Sequence, residues 1–369
     1  MKFSCEKFIL QNAVNSAIKA VSTKTTMNVL ECLHITATEE IITISGFDLN
    51  MAIKTTFEAN IFNQGSCLIN AKLLLDILRK LPDDEITITV NDDLKAKIVC
   101  GKAIFDIMTI DSSEFPEIPM IEKQKFFQIN SPLLKEIINQ TKFAKSDNES
   151  KLIHTGFLFE LTKDELTVVT VDGYRLALRR EKIAMHTLEE TSFVIPGTAL
   201  IELEKLLGEE DVYIFLDEKH ILFEINNIIL TTRLIDGEFL KYKESIPKDL
   251  NNTISCEIQG LKSTIDRVSL IISEQIKNPI RFTFEDNIIK LSCITTIGKS
   301  YDEFHFEGEV ESFEIGFNNK YIIEALNACP DKEANLSFNG PLSPVIITPI
   351  DDSDHFLYLI LPVRLNSNE

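Results

Sequence analysis

Residues 234–247 read LIDGEFLKYKESIP, and residues 109–119 read TIDSSEFPEIP. Both stretches contain Ile-Asp, then Glu-Phe and then a closing Ile-Pro, and they lie about 124 residues apart. We call such a stretch a corner, and its recurrence at this distance indicates that the chain repeats a whole unit. We expect the corner to leave the last strand of one unit and to lead to the next, so that the third unit lacks it.

Three segments begin in the same way, with a short alternating strand followed by an amphipathic helix. They are MKFSCEKFILQNAVNSAIKAV (1–21), FFQINSPLLKEIINQTKFAK (126–145) and ISCEIQGLKSTIDRVSLIIS (254–273). Each is followed by alternating strands, by a second predicted helix and by two more strands. The second helices are predicted within 68–81, 194–207 and 315–328.

The sequence therefore predicts an α+β protein of three repeated domains, at residues 1–125, 126–249 and 250–369. A repeat of this length is far longer than those of stacked solenoids, so it is typical of whole domains. The alternative is chance similarity among α+β domains. The same order of elements, found three times at nearly equal spacing, argues against that alternative.

The distribution of charge bears on the kind of partner. The formal net charge is -20, and such a surface repels nucleic acid at long range. The predicted helical segments nevertheless hold 11 Lys+Arg against 6 Asp+Glu, so they carry +5 and the rest of the chain carries -25. These segments are 8–21, 70–81, 131–145, 197–207, 260–273 and 318–328. One interpretation is a helical face suited to a polyanion, and the other is that helices favour Lys and Arg in any protein.

Targeting and cysteine signals are weak. No run of 18 or more apolar residues predicts a membrane span, and polar residues such as Glu6 and Gln11 interrupt any signal-peptide core. We expect a cytoplasmic, nucleoid-associated protein. The seven cysteines contain no CxxC pair, which predicts free thiols and neither a zinc site nor a disulfide framework.

Three motifs, together with the threefold layout, carry a resemblance to a known family. They are VDGYRLAL (171–178), LIDGEF (234–239) and LILPVRL (359–365). In order and position they resemble the bacterial sliding clamps, the beta subunits of DNA polymerase III, from Met1 to Leu365. The resemblance implies the DNA-clamp fold, with antiparallel sheets outside and two helices per domain inside. It also implies a head-to-tail dimeric ring that encircles duplex DNA, slides without sequence specificity and acts as a processivity factor.

A ring explains how an acidic protein can work on DNA. Topology holds a closed ring on the duplex, so a mildly basic lining is enough, and contacts that read no bases allow sliding. The acidic exterior discourages DNA from binding outside. The partners that the resemblance implies are the replicative polymerase alpha subunit, the clamp loader, repair polymerases and mismatch-repair proteins, which bind through linear motifs.

The resemblance places a peptide-binding cleft between the second and third domains. Apolar side chains would bury the anchors of the peptide, and a few polar groups would orient it. The residues at matching positions are His154, Val171, Gly173, Tyr174, Arg175, Leu176, Leu240, Ser245, Ser343, Pro344, Leu359, Leu361, Pro362, Val363, Arg364 and Leu365. For LYLILPVRL the alternative is a plain buried strand, but alternation lets one face be core while the other lines the cleft.

Four cleft positions depart from the family pattern. Val171 stands where many clamps have Thr, His154 and Ser245 stand where an aliphatic residue is usual, and Leu240 replaces a common Pro. We expect a peptide of the QLxLF type to bind still, with altered affinity. For His154, a partly exposed histidine is the simpler interpretation than a pH switch.

The resemblance also implies DNA contacts and a subunit joint. The DNA-binding positions are Lys24, Lys72, Asn148, Leu152 and Ile153. The lysines would contact phosphate, although any single lysine could be a solvated surface charge. Leu152 and Ile153 stand where some clamps have aromatic residues, so they cannot stack on bases. The joint would pair Ile271 and Ile272, on a helix of the third domain, with Phe105 and Ile107, on a strand of the first domain.

Nothing in the sequence predicts catalysis. The chain lacks GxxxxGK[ST], HExxH and a GxGxxG after a strand, and its six histidines have no ligand-like spacing. We expect no cofactor and no metal, and we read Asp351, Asp352 and Asp354 as a solvated turn because a calcium loop needs further spaced ligands. The competing classes are a hydrolase or transferase with a site between domains, and an acidic scaffold that binds only proteins.

Overall fold

The computed structural model describes residues 1–22, 25–183, 190–248, 250, 252–273, 278–308, 310–351 and 354–365. The fold divides into two compact units. The first unit holds the described residues of Met1–Leu134 and Thr198–Leu234, and the second holds those of Lys135–Ala184, Glu189–Gly197 and Ile235–Glu369.

The secondary structure is mostly antiparallel strand. The α-helices of the described residues are α1 (Lys7–Ala17), α2 (Ala71–Lys80), α3 (Ser131–Thr141), α4 (Gly197–Glu204), α5 (Ile258–Ser269) and α6 (Asn319–Ala328). The strands are β1 (Lys2–Glu6), β2 (Cys32–Thr38), β3 (Ile41–Phe47), β4 (Met51–Glu58), β5 (Asn60–Asn63), β6 (Gly65–Asn70), β7 (Glu85–Val90), β8 (Lys95–Cys100), β9 (Ala103–Met108), β10 (Phe126–Asn130), β11 (Gly156–Leu161), β12 (Glu165–Val171), β13 (Arg175–Lys182), β14 (Thr191–Pro196), β15 (Asp211–Leu216), β16 (His220–Ile225), β17 (Ile228–Arg233), β18 (Asn252–Glu257), β19 (Ile280–Glu285), β20 (Ile288–Thr295), β21 (Gly298–His305), β22 (Phe313–Phe317), β23 (Glu333–Phe338), β24 (Val345–Thr348) and β25 (Phe356–Ile360).

Two sheets form the first unit. Their strand orders are β5-β1-β7-β8-β9 and β10-β15-β16-β17-β4-β3-β2-β6, and every pairing is antiparallel. Helices α1 and α2 pack together and bury apolar stripes that include Leu10, Val14, Leu74 and Leu78, as their periodicity predicts. The approach of α1 to β3 is so close that a Cβ on Gly46 would lie 2.2 Å from the carbonyl oxygen of Ala17.

The second unit repeats this plan. Its sheets have the orders β14-β11-β12-β13-β25-β24-β23-β18 and β21-β20-β19-β22. Helices α5 and α6 pack together over a core that includes Leu261, Ile265, Phe284 and Phe317. In each unit a strand of one predicted repeat joins a strand of the next, β17 beside β4 and β25 beside β13. The order strand, helix, strands, helix, strands occurs three times, over β1–β9, β10–β17 and β18–β25, so the predicted recurrence of the element order is confirmed.

One predicted helix is too long. Ile271 and Ile272 were expected on a helix, but α5 ends at Ser269 and both residues lie on the turn after it. The N–H of Leu270 bonds to the carbonyl of Arg267 and that of Ile272 to the carbonyl of Ser269. These i→i+3 bonds tighten the end of the helix, which is a common way for α-helices to finish.

The helices are also less basic than predicted. Within their observed bounds they hold 8 Lys+Arg against 6 Asp+Glu, a net charge of +2 and not +5. Lys7 lies inside α1, but four counted cations lie beyond the ends of the helices, namely Lys19, Lys142, Lys145 and Lys205. The excess of positive charge therefore belongs largely to the turns that follow the helices.

Candidate functional site

An apolar cluster covers one face of the eight-stranded sheet of the second unit. We call it the cleft cluster, and its buried members are Leu158, Val169, Val171, Leu176, Leu178, Val194, Tyr242, Ile346 and Leu359. Register explains why they meet. Val171 pairs with Leu176, Leu176 with Leu359 and Leu359 with Ile346, on four adjacent strands. Directly opposed residues share a face of a sheet, so three predicted cleft residues belong to one surface.

The stretch LIDGEFLKYKESIP packs onto the cleft cluster. The N–H of Ile235 donates to the carbonyl of Val194 over 2.9 Å, and Ile235, Phe239 and Ile246 lie half-buried against the cluster. This stretch therefore covers part of the cleft cluster, and its backbone continues from β17.

The corner at residues 109–119 does the same in the first unit. Ile110 and Leu68 exchange two backbone hydrogen bonds of 3.0 Å. Ile110 and Phe115 pack on a smaller buried group that contains Val29 and Leu30. The motif recurs because in both places an Ile must pair with a strand while a Phe covers the apolar face beside it.

Tyr242 anchors the corner at residues 234–247 to the sheet. Its side chain is only 3% exposed, and its hydroxyl donates to Glu160 Oε2 over 2.6 Å. Lys243 Nζ approaches the same oxygen to 3.1 Å. Burial raises the pKa of the Tyr242 phenol, and the hydrogen bond to the Glu160 carboxylate raises it further. Neither residue could be identified from the sequence, because they are 82 positions apart and no local pattern links them.

A tight turn at the end of β12 carries Gly173 and Tyr174. Asp172 Oδ1 accepts hydrogen bonds from the N–H groups of Tyr174 and Arg175, at 2.9 and 3.0 Å. Gly173 has φ of 92°, a conformation that side-chain-bearing residues rarely adopt. Aspartate is favoured in turns for this capping, so the Asp-Gly pair is a signal that the sequence did contain.

The side chain of Arg175 leaves the opposite face of the sheet from Leu176. Its guanidinium lies 4.4 Å from the ring centroid of Tyr321 and 5.4 Å from that of Phe143. Nε donates to Asp172 Oδ2 over 2.9 Å, and Nη1 donates to Glu324. The exposed ring of Tyr174 stacks on Tyr321 at 6.1 Å. Arg175 therefore links the turn to α6, and its predicted place in the cleft stays a prediction.

The chain after β25 is held to two neighbouring segments by its backbone. The N–H of Leu361 donates to the carbonyl of Tyr174, and the N–H of Val363 to the carbonyl of Gly316, both over 2.8 Å. Leu361 and Val363 are 40% and 39% exposed. Half-buried neighbours are Pro362, Leu365, Ser343 and Pro344, and Arg364 is exposed. Partly exposed apolar side chains thus follow Leu359, the member of the cluster on β25, along the chain.

Three departures from the family pattern lie beside the cluster. The His154 ring packs edge-on against Phe239 at 5.8 Å, and partial burial, aided by Lys151, lowers its pKa. Leu240 and Ser245 flank the buried Tyr242 and are themselves exposed. A lowered pKa favours the neutral form of the His154 ring, which packs against Phe239 as a flat side chain.

The predicted DNA contacts have different surroundings. Lys24 lies outside the described residues, and Lys72 is exposed on α2 in the first unit. In the second unit Asn148 accepts a hydrogen bond from the N–H of Ser150 at the start of a 3-10 segment. Leu152 on that segment is exposed, whereas Ile153 is half-buried against the cleft cluster. Lys72, Asn148 and Leu152 are thus accessible, and their role in DNA binding stays a prediction.

The predicted joint residues lie at or near edges of sheets. Phe105 and Ile107 are half-buried on β9, the last strand of its sheet. In the second unit β21 is likewise an edge strand, and Ile271 and Ile272 are half-buried on the turn after α5. Unpaired edges with apolar side chains are surfaces that proteins normally cover.

Metal and membrane signals are absent from the part of the chain that the structure describes. There, no three His, Cys, Asp or Glu side chains are grouped closely enough to bind a metal ion. Among the same residues, no helix has the length and apolar character needed to cross a membrane.

The domains match a family along almost the whole chain. Residues 1–119, 128–241 and 243–364 match the N-terminal, central and C-terminal domains of the DNA polymerase III beta subunit. The beta sliding clamp of Halalkalibacterium halodurans is 32% identical over 380 residues, which cover 99% of this chain and 100% of that protein.

Solved structures agree. The DNA polymerase sliding clamp of Bacillus subtilis matches with a TM-score of 0.96 at 32% identity, and the DNA polymerase III beta chain of Streptococcus pneumoniae with 0.94 at 28%. Both matches cover 99% of this chain and 100% of the other. The chain has the three-domain clamp fold, while the domain limits at 125 and 249 stay a prediction. This chain therefore belongs to the family of DNA polymerase III beta subunits, the beta sliding clamps.

Proposed function

We propose that the protein is a DNA polymerase processivity factor. Two copies close head to tail into a ring that encircles duplex DNA and slides on it without sequence specificity. A cleft on each copy binds linear motifs of the replicative polymerase alpha subunit, the clamp loader, repair polymerases and mismatch-repair proteins. The work takes place in the cytoplasm, on the nucleoid.

The observation that carries the proposal is the cleft cluster together with the partly exposed apolar residues that follow it along the chain. Val171, Leu176 and Leu359 are buried members of the cluster, and Leu361 and Val363, which follow Leu359 in sequence, are 40% and 39% exposed. A short peptide gains most of its affinity by burying a few aliphatic or aromatic anchors in such a groove. A peptide of the QLxLF type supplies those anchors.

The edge strands support closure of the ring. Pairing β9 of one copy with β21 of another would continue a sheet across the joint and cover both edges. Phe105 and Ile107 would then meet Ile271 and Ile272, so that four half-buried side chains would leave water together. Domains one and three of different copies would supply the two sides of each joint.

The protein is proposed to be non-catalytic. Its role is to hold an enzyme on DNA, which requires topology and a docking site but no titratable machinery. The phenol of Tyr242 has a strongly shifted pKa, but it is sealed in an apolar cluster and paired with Glu160. Burial, and then the hydrogen bond to Glu160, account for the raised pKa without a substrate.

The test is retention on circular DNA. The protein would be loaded by the clamp loader onto a nicked plasmid, washed in high salt and then treated with a restriction enzyme that linearises the plasmid. A ring stays on the circle through the wash, because salt weakens phosphate contacts and does not undo topology. It is released when the circle is cut. An acidic scaffold that binds only proteins would never be retained, and loss during the wash would contradict the proposal.

A further inference from the structure

The first unit contains a turn that is built like the turn beside the cleft cluster. Asp48 follows β3, and its Oδ1 accepts hydrogen bonds from the N–H groups two and three residues further on, at 2.9 and 2.7 Å. Asp172, which follows β12, caps its own turn in the same way. The residue after each aspartate has a positive φ, 77° at Leu49 and 92° at Gly173. The two turns therefore share one backbone conformation.

A strand of the next repeat is fixed to each of these turns by one backbone hydrogen bond. In the first unit the N–H of Arg233 donates to the carbonyl of Asn50 over 3.0 Å. In the second unit the N–H of Leu361 donates to the carbonyl of Tyr174 over 2.8 Å. Asn50 and Tyr174 occupy the same place after the aspartate of their turn. Arg233 therefore has the position in the first unit that Leu361 has in the second.

Strand register extends the correspondence across the sheet, because directly opposed residues of neighbouring strands share a face. Every strand residue of the cleft cluster has a counterpart in the first unit, and we call these counterparts the matching face. They are Leu68, His34, Ser45, Phe47, Ala52, Lys54, Thr231 and Leu222, for Val194, Leu158, Val169, Val171, Leu176, Leu178, Leu359 and Ile346 in that order. The matching face is on the side of the sheet away from α1, since Gly46 faces that helix and successive strand residues alternate.

The matching face is polar at several positions where the cleft cluster is apolar. The polar residues are His34, Ser45, Lys54 and Thr231. The apolar residues at the two ends of the face belong to separate buried clusters, Leu68 to one and Leu222 to the other. His34 interrupts the surface least, because its ring packs on Phe115 at a centroid distance of 5.1 Å. The apolar surface that is continuous in the second unit is therefore divided in the first.

Ser45 and Thr231 place unpaired hydroxyl groups on the matching face. Their side chains are deeply buried, since the two residues are only 5% and 6% exposed. Within the described part of the chain neither hydroxyl has a hydrogen-bond partner, and neither oxygen is sealed from solvent. Water can therefore satisfy both groups while the face is open. A peptide that covered the face with apolar anchors would displace this water and leave both hydroxyls without a partner, which is costly.

Two cations also oppose an apolar peptide at this place. Lys54 is exposed and lies directly opposite Ser45 in the register. Arg233 is exposed where the second unit has Leu361. An ammonium or guanidinium group loses hydration when an apolar side chain covers it. The first unit thus has the strands, the turn and the register of the cleft without its apolar lining.

We propose that Ser45, Lys54, Thr231 and Arg233 are specificity-determining residues that exclude motif peptides from the first unit. Each copy of the chain then binds one peptide of the QLxLF type, at the cleft of the second unit. The inference rests on the proposed function and deepens it, since it names the residues that decide which of two corresponding faces is used. An unpaired hydroxyl that weakens binding about tenfold corresponds to about 1.4 kcal/mol. The two hydroxyls alone should therefore weaken peptide binding to the first unit about a hundredfold.

The test transplants the lining of the cleft onto the first unit of the full-length protein. The fourfold variant carries Ser45→Val, Lys54→Leu, Thr231→Leu and Arg233→Leu, which are the residue types of the cleft at these positions. A synthetic peptide of the QLxLF type is titrated into each protein, and isothermal titration calorimetry gives the stoichiometry. We expect one peptide per chain for the wild type and two for the fourfold variant. The control Lys163→Leu, which adds an exposed leucine on the β11–β12 turn, should still bind one.

A second variant avoids larger side chains, which could disturb folding. It carries Ser45→Ala, Lys54→Leu, Thr231→Val and Arg233→Leu, so that the same polar groups are removed without added bulk at the two buried positions. This variant should also bind a second peptide, more weakly than the fourfold variant does. A control peptide whose leucines and phenylalanine are replaced by serine should bind none of these proteins, because it lacks the apolar anchors.

The outcomes separate this inference from the function on which it rests. One peptide per chain on the wild type and on both variants would overturn the inference and leave the proposed function intact. A wild type that binds two peptides per chain would overturn it as well. A wild type that binds none would contradict the proposed cleft itself, and the inference would fall with it. One peptide on the wild type and two on either folded variant would support the assignment.

Discussion

Replacing Tyr242 by Phe removes one hydroxyl and tests whether the corner is fastened as described. The hydroxyl donates to the Glu160 carboxylate over 2.6 Å. A hydrogen bond to a charged acceptor contributes about 1.5–3 kcal/mol. In the variant, Glu160 keeps its ion pair with Lys243 and is 27% exposed. Water and the lysine therefore compensate for part of the lost hydrogen bond. We therefore expect the free energy of unfolding to fall by about 1.5 kcal/mol, the lower end of that range.

The pH dependence gives the same bond a second signature. The folded pKa of Tyr242 is raised, so its contribution to stability is present below the unfolded pKa of about 10 and is lost as pH rises beyond it. The advantage of the wild type over Tyr242→Phe should shrink by about 1.4 kcal/mol per pH unit above that point. It should thus be nearly gone at about pH 11.

Urea unfolding followed by circular dichroism, from about pH 8 to about pH 11, measures both effects. Glu160→Gln removes the charge but keeps the shape, and the double variant should lose less than the sum of the single losses because both act on one bond. Equal stability of wild type and Tyr242→Phe at pH 8 would refute the stabilising role of this hydrogen bond. So would a difference that stays constant throughout the pH range.

Three further predictions concern the joint, the core and the thiols. Replacing both Ile271 and Ile272 by Ser should yield monomers in sedimentation velocity. The control Leu152→Ser, which also replaces an apolar residue of the second unit, should leave the dimer intact. A double variant that is still dimeric would refute the predicted joint. Gly46→Ala should lower the thermal midpoint more than Gly173→Ala. The new Cβ at position 46 would meet the carbonyl of Ala17 at 2.2 Å, and overpacking costs about 1–3 kcal/mol, whereas at position 173 only the positive φ opposes a side chain. A larger loss for Gly173→Ala would contradict the packing of α1 on β3. Burial raises the pKa of the Cys67 and Cys256 thiols to about 12. Iodoacetamide at pH 8 should therefore modify them only after unfolding, as read by mass spectrometry. Rapid labelling of the native protein would be inconsistent with their burial in the core.

The order of the elements could be predicted because it depends on local pattern. Alternation in 165–173 and the apolar stripe of α2 are visible in the sequence itself. The end of α5 could not be predicted, since the apolar period continues through Ile271 and Ile272 while the hydrogen bonds change from i→i+4 to i→i+3. Periodicity reports which side chains face the core and not which carbonyl accepts each bond.

The candidate site was accessible from sequence only in part. Val171, Leu176 and Leu359 came from the resemblance, and strand register then placed them opposite one another. Alternation does require Arg175 and Leu176 to face opposite sides. It cannot reveal that the arginine meets Glu324, 149 residues away, because such a contact depends on the tertiary fold alone.

The mass of the native protein tests the central claim most directly, since one copy of the chain cannot close a two-subunit ring. Native mass spectrometry at micromolar concentration should give a species of twice the 41.9 kDa of one chain, and the Ile271→Ser, Ile272→Ser variant should give a single chain mass. A wild-type protein that remains at 41.9 kDa, or that assembles into species of three or more copies, would contradict the ring.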